Sequence, residues 1–166
     1  MPAMIEALSL PRHAVAGGRR YRVAVSPAVL TPELLAELAN GERFWSEAQV
    51  FLADTLFEGC CATPANSRER FAALGLRPGQ LHAEVADQSD PVRGAAAYEQ
   101  QLRAAFALGP QDVPRFDAII LRPGALAELP DETGRLAVAA WSPARRRRYV
   151  TLTPAVIQNA ALIVGG

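Results

Sequence analysis

Phe116-Asp117-Ala118-Ile119-Ile120-Leu121 is the stretch on which the fold turns, because it reads as a buried strand that follows a well-marked helix. That helix runs from Pro91 to Leu108. Ala95, Tyr98, Leu102, Ala105 and Phe106 recur at spacings of three and four, which puts them on one helical face, and Gly109-Pro110 ends it. Working back toward the N-terminus, Ala48 to Ala53 is continuous enough in apolar character to be a strand covered on both faces, as parallel sheets require. A polar loop is expected after it. Tyr21 to Ser26 is a first strand stopped by Pro27. Thr31-Pro32-Glu33 then opens a helix with an N-cap, a favoured first residue and an acid at the positive dipole end. Leu34, Leu35 and Leu38 line its apolar face until Asn40-Gly41.

Other elements are shorter. Arg68 to Leu74 is a helix closed by Gly75, and Leu81 to Val85 is a strand. Leu136 to Trp141 and Tyr149 to Thr151 are strands separated by the arginine run Arg145 to Arg148, which is expected on a loop. Pro154 to Ala161 fits a helix and Leu162 to Val164 a last strand. Strand and helix alternate, so the expected class is α/β: a three-layer α/β/α sandwich around a mostly parallel sheet. Residues 21–166 form one domain, preceded by an N-terminal arm over 1–20 that includes His13 and is expected to be mobile.

Composition excludes several chemistries. The 17 basic residues balance 17 acidic ones, which argues against general attraction to nucleic acid or an anionic membrane. All 17 are arginine. Without lysine there is no Schiff-base enzyme and no phosphate-loop nucleotidase. Cys60 and Cys61 are adjacent, too close for an ordinary disulfide, and read as free thiols in a reducing compartment. His13 and His82 fall in no ligand spacing, so neither a metal nor another cofactor is expected. No apolar run approaches a membrane span and Met1 to Pro11 lacks the pattern of a signal peptide, which leaves the cytoplasm as the expected location.

Four motifs, in order, carry a resemblance. Ser26-Pro27-Ala28-Val29-Leu30-Thr31-Pro32 follows the first strand, Asp54-Thr55-Leu56 the second, Ala65-Asn66-Ser67 comes about ten residues later, and Tyr149-Val150-Thr151-Leu152-Thr153 precedes a helix. In that order they resemble the 6-phosphogluconolactonase branch of the glucosamine-6-phosphate isomerase superfamily, whose corresponding patterns are Ser-Gly-Gly-Ser-Thr-Pro, Asp-Glu-Arg, Ser-Asn-Tyr and Arg-aliphatic-Thr-Leu-Thr. The resemblance implies a glucosamine-6-phosphate isomerase-like fold. It also marks departures. Both glycines of the phosphate-holding loop are gone, Leu56 stands at the arginine position, and Tyr149 replaces a second arginine with Arg148 just before it. The family continues the Phe116 to Leu121 strand with Leu-Gly-Met-Gly-Pro-Asp-Gly-His-Thr-Ala-Ser-Leu-Phe-Pro-Gly. Here Leu121 to Asp131 aligns with the Pro-Asp-Gly-His segment deleted, so the histidine that activates water in that family has no counterpart.

No catalytic residue is therefore assigned. Asp54, Asn66 and Arg148 are the candidate substrate-binding residues, and each has a structural alternative. Asp54 and Asn66 serve equally well as turn caps, and Arg148 does not replace Tyr149 without a shift of register, because consecutive strand residues face opposite ways. Arg145 to Arg148 reads as a site for phosphate, nucleic acid or an acidic partner or, more simply, as a solvated cluster. Trp45 and Trp141 read as buried or half-buried packing residues. His82 reads as a polar residue at a strand edge. Three functions follow: a noncatalytic relative acting through a protein partner or as a subunit of an oligomer, a weakened sugar-phosphate-binding module, or a hydrolase with displaced catalytic groups.

Overall fold

The computed structural model describes residues 20–39, 48–58, 61–62, 71–72, 75–83 and 90–165. Along the chain these give β1 (Tyr21–Val25), α1 (Pro32–Ala39), β2 (Ala48–Leu52), β3 (Asp54–Glu58), β4 (Cys61–Ala62), β5 (Leu81–His82), α2 (Pro91–Phe106), β6 (Ala118–Ile120), β7 (Ala137–Ser142), β8 (Arg147–Leu152), α3 (Pro154–Gln158) and β9 (Ile163–Val164). Single 3-10 turns occupy Pro27–Val29 and Leu126–Glu128. The chain is α/β, built on a parallel sheet in the order β5-β2-β1-β6-β9. Consecutive residues in its central strands, including Val23 and Ala24, Val50 and Phe51, Ala118 and Ile119, are completely buried. Since neighbours along a strand point to opposite faces, both faces are covered.

The helices form where their ends are satisfied. Leu34 donates its backbone N–H to Thr31 Oγ1 at 3.2 Å, closing the first turn of α1. Asp90 caps α2 by accepting from Val92 N at 2.9 Å, and Ala107 ends it in the left-handed region at φ 52°. Tyr98 on α2 donates from Oη to the Leu52 carbonyl at 2.6 Å, fixing the helix at the end of β2. Phe51, Phe106 and Phe116 pack edge-on or tilted, with ring centroids 4.9 to 5.4 Å apart. Burying each such ring contributes about 1.5–3 kcal/mol. His82 lies flat on Phe51 at 4.3 Å in the edge strand β5.

Three readings of the sequence need correction. First, the stretch after β2 is a strand, not a polar loop. Ala53 donates to the Val25 carbonyl and accepts from Leu152 N, both at 3.0 Å, and β3 then joins a second, antiparallel sheet in the order β4-β3-β8-β7. Second, Arg147 and Arg148 belong to β8, and only the preceding residues make the turn. Third, Trp141 is 56% exposed, not buried or half-buried, on the face it shares with Arg148. Leu136 to Trp141 and Tyr149 to Thr151 are otherwise strands as expected, and Gly75 has the positive φ, 68°, of a helix stop. His13, Trp45, Cys60 and Asn66 lie outside the described residues. No helix among those described is long and apolar enough to cross a membrane.

Gly165, at φ 83°, follows β9, and any Cβ there would collide with the Leu121 carbonyl. The Leu121 N–H donates to Val164 O at 2.8 Å.

Tyr98→Phe removes a buried hydrogen bond while keeping the ring, so it is expected to cost about 1 kcal/mol. For a domain of this size that lowers Tm by roughly 2–4 °C, readable by circular dichroism. An unchanged Tm would show that α2 is held by packing alone.

Candidate functional site

Strand order locates the crevice before any side chain is considered. From β1 the chain passes through α1 to β2 on one side, whereas β6 lies on the other side of β1 and leads on to β9 beyond it. Connections diverging in this way leave a gap at the carboxyl ends of the two central strands, the usual position of α/β sites. Ser26 follows β1, Asp54 follows β2 and Arg122 follows β6, and all three are buried.

The gap holds an ion-pair network. Arg122 donates from Nε to Asp54 Oδ2 at 3.1 Å and from Nη2 to Glu128 Oε2 at 2.5 Å, with Nη1 on the Pro123 carbonyl at 3.3 Å. Its side chain is only 10% exposed. Leu126–Glu128 is the 3-10 turn that returns Glu128 toward the strand end from which Arg122 emerged. Arg145 approaches from the β7–β8 turn, with Nη2 3.6 Å from Glu128 Oε2 and its guanidinium 5.2 Å from the Tyr149 ring centroid. Ser142 accepts from Arg145 N and Nε at 3.3 and 3.4 Å, while Tyr149 donates from Oη to the Glu128 carbonyl at 2.5 Å.

Burial pushes the Asp54 carboxyl up, against the opposing pull of the Ser26 hydroxyl and the Arg122 and Arg145 charges. Ser26 stands close enough for that effect without closing a hydrogen bond of full geometry. Glu128 is held below the usual carboxylate range by the Ser142 hydroxyl and then by Arg122 and Arg145. Burial and the Glu128 charge raise Tyr149. Two carboxylates, Asp54 and Glu128, thus face two guanidiniums, Arg122 and Arg145, and formal charge cancels. The network has no net positive charge with which to hold a phosphate. Glu128, held low, is also a weak proton acceptor.

Of the three residues singled out in the sequence, Asp54 is at the centre of the crevice and Asn66 lies outside the described residues. Arg148 is elsewhere. Register pairs Asp54 with Thr151 and Leu56 with Tyr149, so these share one face of the antiparallel sheet, whereas Arg148 is exposed on the other, across from Trp141. Sequence reasoning missed Arg122 and Glu128, and had Arg145 only as a member of the arginine run. Arg122 had a usable signal: a charged residue directly after a buried strand, at a position where the resembling family has glycine. Among the described residues no three His, Cys, Asp or Glu side chains converge as metal ligands would.

Arg122→Ala leaves two carboxylates facing one guanidinium, and breaking a buried pair costs about 3–5 kcal/mol. The deficit is expected to grow with pH. Without Arg122 the folded-state pKa of Asp54 rises further, and a raised carboxyl contributes stability at low pH that is lost as pH climbs through the folded value. Glu128 acts in the same direction, since the share of its depression that Arg122 supplies, after that of Ser142, stabilises only above its unfolded value and is lost with Arg122. Denaturant melts of both proteins at about pH 5 and pH 8 measure this. An equal deficit at the two pH values would show that the pair is not ionised.

No protein-family profile matches the chain, nor does any curated protein match its sequence. Solved structures do match. A 6-phosphogluconolactonase from Thermotoga maritima superposes with a TM-score of 0.70 at 19% identity, covering 97% of this chain and 75% of the enzyme. A devB protein gives 0.68 at 16% identity, covering 98% and 72%, and a 6-phosphogluconolactonase from Shewanella baltica OS155 gives 0.59 at 17%, again covering 98% and 72%. The chain therefore has the 6-phosphogluconolactonase fold, of the glucosamine-6-phosphate isomerase type.

Proposed function

We propose that this chain is a noncatalytic relative of the 6-phosphogluconolactonases, acting through a protein partner or as a subunit of an assembly. The observation that carries this reading is Arg122, locked between Asp54 and Glu128 at the crevice of the central strands. A side chain of the protein fills the place where the fold would receive a ligand, and it consumes the carboxylate that the resembling motif supplies. The two positions at which the family pattern has arginine support the same conclusion. Leu56 and Tyr149 are cross-strand neighbours on the crevice face of the antiparallel sheet, so two anion clamps have been replaced together by an apolar pair. Pro27, Ala28 and Val29 form a 3-10 turn in place of the family's glycine loop, with side chains in place of open backbone. The family's histidine has no counterpart after β6, and His82 is stacked on Phe51 in β5.

Loss of a general base alone removes about 100- to 10,000-fold of rate, and loss of the orienting arginine contributes further. Purified protein is accordingly expected to leave the spontaneous opening of 6-phosphogluconolactone unchanged, measured by NMR or stopped flow with the buffer rate subtracted. Enzyme-dependent turnover that disappears in Asp54→Ala would overturn the reading and make Asp54 the displaced base. Calorimetric titration with 6-phosphogluconate is expected to give no low-micromolar binding. A dissociation constant in that range, about −8 kcal/mol, would instead favour the sugar-phosphate-binding module.

A further inference from the structure

Two buried donors beside the crevice, the Ser26 hydroxyl and Arg145 Nη2, meet no hydrogen-bond partner among the described residues. Ser26 is completely buried. Arg145 Nη2 reaches Glu128 Oε2 only at the 3.6 Å of a loose ion pair, while the rest of that guanidinium is engaged through Nε with Ser142. Folded interiors rarely leave such groups unmet, and the exceptions concentrate where a protein binds something.

Both donors converge on Asp54, since the Ser26 hydroxyl and the Arg145 charge each pull its carboxyl down. The remaining groups around Asp54 are accounted for. Arg122, from the end of β6, donates Nε to Asp54 Oδ2 at 3.1 Å, and Glu128 acts through the same guanidinium. Tyr149, on β8, feels the Asp54 charge but gives its hydroxyl proton to the Glu128 carbonyl. Thr151, paired with Asp54 across the strands, gives its hydroxyl to the Ala53 and Leu152 carbonyls.

Charge decides what can join this cluster. With both carboxylates ionised the four charges cancel, and an anion placed between Ser26 and Arg145 meets the Asp54 carboxylate at close range. A proton on Asp54 leaves two guanidiniums against one carboxylate, and it turns an acceptor into an O–H donor beside the other two. Burial favours that proton, pushing the Asp54 carboxyl up against the pull of Ser26, Arg122 and Arg145. Neither arginine position of the family pattern takes part, because Leu56 and Tyr149 stand there, and the guanidiniums come instead from Arg122 and Arg145.

We infer that the crevice is a proton-coupled anion site, which takes a small oxyanion between Ser26 and Arg145 together with one proton on Asp54. The proton comes from solvent and is released when the anion leaves. Anion affinity therefore rises as pH falls, which goes beyond the noncatalytic reading and does not depend on it.

Sulfate is the probe, since its charge is constant between about pH 5 and pH 8, and it is titrated calorimetrically into the full chain with melting curves taken at each pH. Binding is expected at about pH 5, weakening by up to about tenfold per pH unit above the Asp54 pKa, the slope of one proton taken up per anion. Titration in two buffers of different ionisation enthalpy counts that proton directly. Asp54→Asn keeps the shape without the charge, so it is expected to bind sulfate alike at both pH values with no proton uptake. Arg145→Gln is expected to weaken binding at about pH 5 by about tenfold or more, and Ser26→Ala by about fivefold. Arg146→Ser, at the exposed neighbour, is expected to change nothing. No binding at low pH, affinity independent of pH, no proton taken up by the unmodified chain, uptake that persists in Asp54→Asn, or an equal loss in Arg146→Ser and Arg145→Gln would each overturn the inference. The proton count on the unmodified chain decides the matter even where Asp54→Asn does not fold. Lactone opening is measured on the same preparation, so turnover overturns the noncatalytic reading and leaves the sulfate slope to be judged by itself.

Discussion

Ala53 donates to Val25 and accepts from Leu152, so one residue carries the chain out of the parallel sheet and into the antiparallel one without a break in pairing. Everything at the crevice depends on that continuity. Because strand residues alternate in direction, Asp54 faces the ends of β1 and β6 only while the register through Ala53 is kept. One inserted residue would turn Asp54 away and bring Thr55 inward. Thr151 reinforces the junction, donating from Oγ1 to the Ala53 carbonyl at 3.4 Å. Thr153 does so from the other side of β8, donating to the Arg135 carbonyl at 2.8 Å as the chain enters α3.

Within this frame, Arg122 and its two carboxylates are mutually dependent. A guanidinium brought to a position this buried is tolerable only with partners, and Asp54 in the same place without Arg122 would carry the full cost of burial. The short return from Arg122 to Glu128 supplies the second partner from the same loop. A longer loop would place its acid elsewhere. The short loop and the arginine therefore depend on one another, and Leu56 pairs with Tyr149 across the neighbouring stretch of the sheet.

Much of the frame was legible in the sequence. Apolar runs at Tyr21, Ala48 and Phe116 declared buried parallel strands, and the spacing of Ala95, Tyr98 and Leu102 declared α2, because burial on both faces and helical periodicity leave direct marks on residue order. The antiparallel sheet left weaker marks. Asp54-Thr55-Leu56 looks like a turn in isolation, and only pairing with Val150 and Thr151, nearly a hundred positions away, makes it a strand. Long-range pairing of that kind has no local signature. The site was half legible for the same reason. Asp54 stood out by its motif, whereas Glu128 and Arg145 acquire their roles only when a 3-10 turn and a hairpin converge on Arg122. Arg148 illustrates the limit. Its charge was visible, but the face it occupies was fixed by register with Trp141.

The contact of Gly165 with Leu121 ties a two-residue edge strand to the residue immediately before Arg122. Short edge strands open at low free energy. When β9 frays, Leu121 loses its partner at Val164, and the support of the arginine loosens with it. The backbone that carries Arg122 into the crevice is therefore anchored partly by close packing at a glycine that bears no charge.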